Sequence, residues 1–104
     1  MKKDIFDQYA DAIAKQLHIT LDQIFSGDRR RDIVDARQML YFICMERPIR
    51  ISFIQRFMEE NDCPVKHSTI IHGYKRAKKL IDNDPDYKNI IDQIQKENAK
   101  VSSY

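Results

Sequence analysis

The sequence predicts an all-α fold, a compact helical bundle, and three observations carry that expectation. The chain has 104 residues, which suits one domain. Hydrophobic residues make up 42% and charged residues 33%, enough apolar material for one core and too little for two. With only 2 Gly and 3 Pro there is little punctuation for a many-turned β fold, and no segment alternates convincingly as a strand.

The first helix is expected over about Lys3 to Leu17, where Ile5, Tyr9, Ala12, Ile13, Gln16 and Leu17 follow 3,4 spacing. "HITLDQIF" restarts a helix: Thr20 with Gln23 three later is a capping-box pattern, with Ile19 before it as a staple. "SGDRRRD" is a break around Gly27. A longer central helix follows from about Asp32, with Ile33, Ala36, Met39, Leu40, Ile43 and Cys44 along one side, and Pro48 stops it at Arg47. "RISFIQRFMEEND" reads as a short helix on Ile51, Ile54 and Met58, "DCPV" as a turn, and Lys66 to about Asp82 as the next helix. Asp84 caps a last helix from Pro85 to about Lys96. The domain therefore spans residues 1–96, with a frayed tail at 97–104.

No apolar run approaches the roughly 18 residues of a membrane span, and the N-terminus lacks the apolar stretch of a signal peptide. A cytoplasmic protein is expected, with Cys44 and Cys63 as reduced thiols, since their spacing matches no metal or redox motif. The net charge of +2 hides an asymmetry. Residues 1–28 hold three basic and five acidic side chains, as do residues 80–104, while residues 29–79 hold twelve basic and six acidic ones. A basic centre between acidic ends is a footprint for a polyanion.

The segment "KHSTIIHGYKRAKK" concentrates that charge. On a helix, Ile70, Gly73, Tyr74, Ala77 and Ile81 share one face, which must be the buried one. Gly73 costs helix stability, so its place there predicts close approach of another helix. Ser68, Thr69, His72, Lys75, Arg76 and Lys79 fall opposite, with no carboxylate among them. A charge run is ordinarily a solvated face, but such faces mix signs to gain i,i+4 pairs, and this one does not. Ser68 and Thr69 sit in the first turn, where short polar side chains reach base edges when a helix enters a major groove. His67 and His72 are five apart, on different sides, so neither metal nor cofactor is expected. Ser68 and His67 are adjacent and cannot face each other as a catalytic dyad, and no phosphate-binding glycine loop occurs, so no enzyme activity is expected.

A second basic element, Arg29, Arg30 and Arg31, precedes the central helix and can follow phosphates or enter a narrow minor groove. Arg37, Gln38, Arg50 and Arg56 add donors for backbone phosphates. Short helix, turn, longer polar-faced helix is the order of a helix-turn-helix.

In that order, "RRRDIVDARQMLYFICMER", "ISFIQRFM" and "KHSTIIHGYKRAKKL" resemble the C-terminal DNA-binding domain of the bacterial chromosomal replication initiator, DnaA. That family carries an arginine-bearing loop, an ARQ or PRQ step opening the central helix, and an Asp-His-Thr-Thr-Val-x-His-Ala signature. The likeness covers about Thr20 to Ile81 and implies a DnaA-type helix-turn-helix. By this resemblance Arg31 matches the loop arginine that reads the minor groove. Arg37 and Gln38 match the step near the phosphate backbone. His67, Ser68 and Thr69 match the base-reading residues, and Lys75 and Arg76 the basic pair after them. Lys66 stands where the family has an acid that accepts from cytosine; a lysine instead donates, to guanine or to a phosphate. "EENDCPV" replaces a shorter Gly-Gly-Arg turn, and Asp35-Ala36 a typical Arg-Pro, weakening one basic contact. The initiator's ATPase does not appear in the sequence, so a stand-alone DNA-reading domain is expected.

The expectation is therefore sequence-selective double-stranded DNA binding linked to replication initiation at an origin or its regulation. The DNA-binding set is Arg29, Arg30, Arg31, Arg37, Gln38, Lys66, His67, Ser68, Thr69, His72, Lys75, Arg76 and Lys79. Arg76→Ala is expected to weaken binding to all sequences alike. The alternative is a protein-interaction module that keeps the fold and binds a replication protein through its acidic ends. RNA binding lacks an aromatic-rich sheet signature.

Overall fold

A computed structural model describes residues 2–101, with side chains to residue 97. Among them are six helices and no strand: α1 (Lys2–Leu17), α2 (Leu21–Ile24), α3 (Arg31–Glu46), α4 (Ile51–Glu60), α5 (His67–Asn83) and α6 (Pro85–Val101). No helix is long and apolar enough to cross a membrane.

Local chemistry sets most of the boundaries. His18 ends α1 in the left-handed region (φ 58°), and the Ile19 N–H closes the turn on the Ala14 carbonyl at 3.0 Å. Thr20 then opens α2 with a complete capping box: the Gln23 N–H donates to Thr20 Oγ1 at 3.1 Å, and the Thr20 N–H to Gln23 Oε1 at 2.9 Å. Asp62 takes the left-handed conformation after α4 (φ 59°), and the Cys63 N–H returns to the Met58 carbonyl at 3.0 Å. Gln55 Nε2 donates to the Val65 carbonyl at 3.0 Å, which fixes the six-residue turn 61–66 against α4. Asp84 accepts from the Asp86 N–H at 3.0 Å and starts α6. That helix runs past Lys96, because "QKENAK" holds good helix formers and no breaker. Residues 102–104 of the expected tail lie outside the described residues.

The central helix α3 packs most extensively on α5 and then on α1. It buries residues around its whole girth, from Ile33 to Cys44. Ile13, Ile24, Leu40, Ile54, Met58, Ile70 and Ile94 are fully buried, each contributing about 1.5–3 kcal/mol. The α1 stripe is rotated by about one position from the expected one. Phe6, Tyr9, Ala10, Ile13 and Ala14 are buried, while Ile5, Ala12 and Leu17 flank them. Phe6 anchors the shift: it is fully buried, and its ring meets Phe57 at 5.3 Å and Phe25 at 6.1 Å.

The seam between α3 and α5 is tight at Gly73. A methyl built there would lie 2.7 Å from Tyr41 Cδ2 and 3.1 Å from Gln38 Cγ. The expected close approach is therefore present, and it brings the α5 backbone against the Cδ2–Cε2 edge of the Tyr41 ring. Beside it, Tyr74 stacks on Phe42 at 5.4 Å and donates to Glu46 Oε2 at 2.9 Å. Tyr41 itself is 1% exposed, and its hydroxyl finds no hydrogen-bond partner among the described residues; burial pushes its pKa up.

Candidate nucleic-acid interface

The buried stripe of α5 is Ile70, Gly73, Ala77 and Ile81, spaced 3, 4 and 4 apart. Locking that stripe into α3 turns the opposite side outward. Lys66, His67, Ser68 and Thr69 are all exposed at the N-terminal end, and His72, Lys75 and Lys79 continue along the helix. Lys66 is the N-cap; its carbonyl accepts from the Thr69 and Ile70 N–H groups at 3.0 and 3.2 Å, and its side chain makes no capping bond. The first turn holds no acid. This end thus presents unneutralised N–H groups, hydroxyls and cations together, a favourable setting for an anion.

The arginine loop reaches the same side. Arg31 opens α3, exposed, and lines one shallow depression with Arg76, Lys79, Leu80 and Asn83 from α5. His72, Lys75, Arg76 and Lys79 line a second depression along α5. Arg29 is exposed in the connection before them. Arg30 is the N-cap of α3 and turns back on Asp28, with Nη2 at 2.8 Å and Nε at 3.0 Å from Oδ2. The Arg30 side chain and its backbone N–H together hold the Asp28 carboxyl below the usual carboxylate range.

Three of the expected contacts turn inward. Arg37 is half-buried; its Nε donates to the Ile24 carbonyl at 2.8 Å and its Nη2 to the Asp28 carbonyl at 3.2 Å. It clamps the α2–α3 connection with two of its three nitrogens. Gln38 is half-buried against Gly73, and its Oε1 accepts from Arg76. Arg76 Nη1 also donates to Asp35 Oδ1 at 2.8 Å, with the two side chains 34% and 6% exposed. A helical wheel puts Arg76 at the flank of the polar face, and a long side chain at a flank swings toward a buried opposite charge.

Asp35 is the residue that sequence reasoning missed. Its second oxygen accepts from the Tyr87 hydroxyl at 3.4 Å, so one buried carboxylate joins α3, α5 and α6. Burial, and then the Asp35 charge, raise the Tyr87 pKa. A signal was available: Asp35 precedes Phe42 by one heptad and so shares its face, which α5 covers through Tyr74. Among the described residues no group of three or more His, Cys, Asp or Glu side chains lies together to hold a metal.

Comparison with known proteins gives relatives by sequence. The chain is 33% identical over 85 residues to the chromosomal replication initiator protein DnaA of Geotalea uraniireducens. It is 27% identical over 89 residues to that of Lachnoclostridium phytofermentans, and 24% over 95 residues to that of Mycoplasma pneumoniae. These alignments cover 82–88% of this chain and 18–20% of the relatives, so the chain spans about a fifth of their length. No protein-family model matches the chain.

Proposed function

Over most of its length the chain is a relative of the chromosomal replication initiator protein DnaA, and from that premise we propose that it binds double-stranded DNA sequence-selectively in the service of replication initiation or its regulation. The observation that supports this reading best is the shared depression of Arg31 with Arg76 and Lys79, which puts the arginine loop and the polar face of α5 on one side. In this reading α4, the turn 61–66 and α5 act as a helix-turn-helix, and α5 enters the major groove by its N-terminal end. Lys66, His67, Ser68 and Thr69 meet base edges there. His72, Lys75 and Lys79 follow one strand's phosphates, and Arg29 and Arg31 reach the adjacent minor groove.

Selection from a random duplex library, followed by a salt titration of the enriched site, tests the proposal. Enrichment of one sequence and a steep fall of affinity with salt are expected. No enrichment together with a flat salt response sinks it.

One observation favours a second reading. A cleft of about 520 Å³ between α1, α2 and the end of α4 is lined by Asp7, Asp22, Glu60 and Asp62 around Leu21 and Phe25. Leu21 is 41% exposed. Acidic walls around an apolar floor suit a cationic protein segment with one apolar anchor. Capture of a partner that survives nuclease treatment favours this reading over the first.

A further inference from the structure

The proposed DNA face includes an arginine whose charge is already answered from beneath. Arg76 lines both depressions, with Arg31 and Lys79 in one and with His72, Lys75 and Lys79 in the other. Its neighbours Arg31, Lys75 and Lys79 are exposed, whereas Arg76 keeps only 34% of its side chain exposed and bonds to Asp35 and Gln38. Asp35 is buried, and among the described side chains its partner besides Arg76 is the neutral hydroxyl of Tyr87.

We propose that Asp35 is a positioning residue, which withholds Arg76 from the phosphate backbone and so lowers the sequence-independent, salt-dependent part of the affinity; this rests on the DNA-binding reading above. A buried carboxylate left without its cation is strongly unfavourable, so Arg76 does not leave Asp35 for a solvated phosphate. Any outward N–H it retains belongs to an ion pair that is neutral as a whole. A neutral pair displaces no counterion, and counterion release is what drives non-specific binding. The base-reading end at Lys66–Thr69 is unaffected, so discrimination between sequences stays as it is while affinity for every duplex becomes less dependent on salt. The expectation that Arg76→Ala weakens all sequences alike through a lost phosphate contact is thereby replaced.

The test measures binding of the full chain to its selected duplex and to a scrambled duplex across a salt series. Asp35→Asn steepens the slope of log affinity against log salt by about 0.9 on both duplexes, the increment for one added phosphate contact, and tightens both at low salt by the same factor, leaving the ratio between them unchanged. Asp35→Asn/Arg76→Gln carries no buried charge and substitutes an amide pair for the ion pair; its slope equals that of the unmodified chain. A thermal melt establishes that each variant is folded, and if Asp35→Asn alone is not, the double variant decides. Flattening of its slope by about 0.9 shows that Arg76 already meets a phosphate and overturns the proposal. So does an unchanged slope in folded Asp35→Asn. An unmodified chain that binds neither duplex overturns the DNA-binding reading itself, a distinct result.

Discussion

Replacing Gly73 by alanine sets two effects of opposite sign against each other. Alanine in a helix interior is favoured over glycine by about 1 kcal/mol. Against that, the new methyl lies 2.7 Å from Tyr41 Cδ2 and 3.1 Å from Gln38 Cγ. Tyr41 is 1% exposed, and Cδ2 is on the near edge of its ring, so the contact is not relieved by moving a flexible chain end. Overpacking a well-filled contact costs about 1–3 kcal/mol, and a rigid buried ring belongs in the upper half of that range. The net expectation is a loss of about 1–2 kcal/mol, which for a chain of this size lowers Tm by roughly 5–15 °C. Urea and thermal unfolding followed by circular dichroism measure it. Repeating the substitution in a Tyr41→Leu background should recover at least about 0.5 kcal/mol of the loss as coupling energy. A Gly73→Ala variant as stable as the parent, or more stable, would refute the reasoning, because propensity would then have outweighed the contact.

Other substitutions follow from the same geometry. Thr20→Ala removes the acceptor for the Gln23 N–H and should lower unfolding free energy by about 1 kcal/mol, with Gln23→Ala adding less than its separate cost because the two form one reciprocal cap. Arg37→Ala opens the clamp on the Ile24 and Asp28 carbonyls; a loss of about 1–3 kcal/mol in a urea melt is expected. Ser68→Ala and Lys66→Ala should leave Tm unchanged, since neither side chain caps α5, while relaxing preference at one or two base pairs by roughly 1–3 kcal/mol in a selection assay. Burial pushes the Cys44 thiol well above its ordinary pKa. Above about pH 8.5 the unfolded chain loses that proton and the folded chain keeps it, so stability is full below this pH and falls above it by up to about 1.4 kcal/mol per pH unit. Cys44→Ala should remove this increment from the alkaline slope in a pH series of urea melts.

Much of the fold was legible because it rests on short-range chemistry. The Thr20–Gln23 reciprocity, the Pro48 stop and the Asp84 cap each depend on residues within four positions of one another. Gly73 was readable because a glycine in the middle of an apolar helical face is costly unless a neighbouring helix must come close. What escaped depended on partners distant in sequence. Arg37 and Arg76 read as surface donors because composition and spacing give a side chain's address and not its direction. Asp35 read only as a weakened basic contact, although its partner Arg76 lies 41 positions away and completes a buried pair. The α1 stripe was misplaced by about one position because Phe6 counts in the pattern as one apolar residue among several, whereas its ring size lets it dominate the packing. Of the expected interface, the exposed Lys66–Thr69 end was the part that patterning could suggest, whereas the place of Arg31 beside α5 was implied only by the family resemblance.

The connection between α2 and α3 has a thermodynamic consequence beyond its shape. Ser26 Oγ donates to the Gln23 carbonyl at 2.7 Å and accepts from the Asp28 N–H at 3.1 Å; Gly27 takes φ 76°, and Asp28 binds Arg30. With Arg37 holding the Ile24 and Asp28 carbonyls, the backbone that carries Arg29–Arg31 is ordered before any ligand arrives. Fixing a residue's backbone costs about 1–2 kcal/mol, and here folding has already met that cost for the arm. A polyanion docking on it therefore encounters a preorganised element, and its association lacks the large entropy loss and heat-capacity change of coupled folding. If the arm binds DNA as proposed, the clamp at Arg37 acts on affinity from a distance, by keeping other arginines in place.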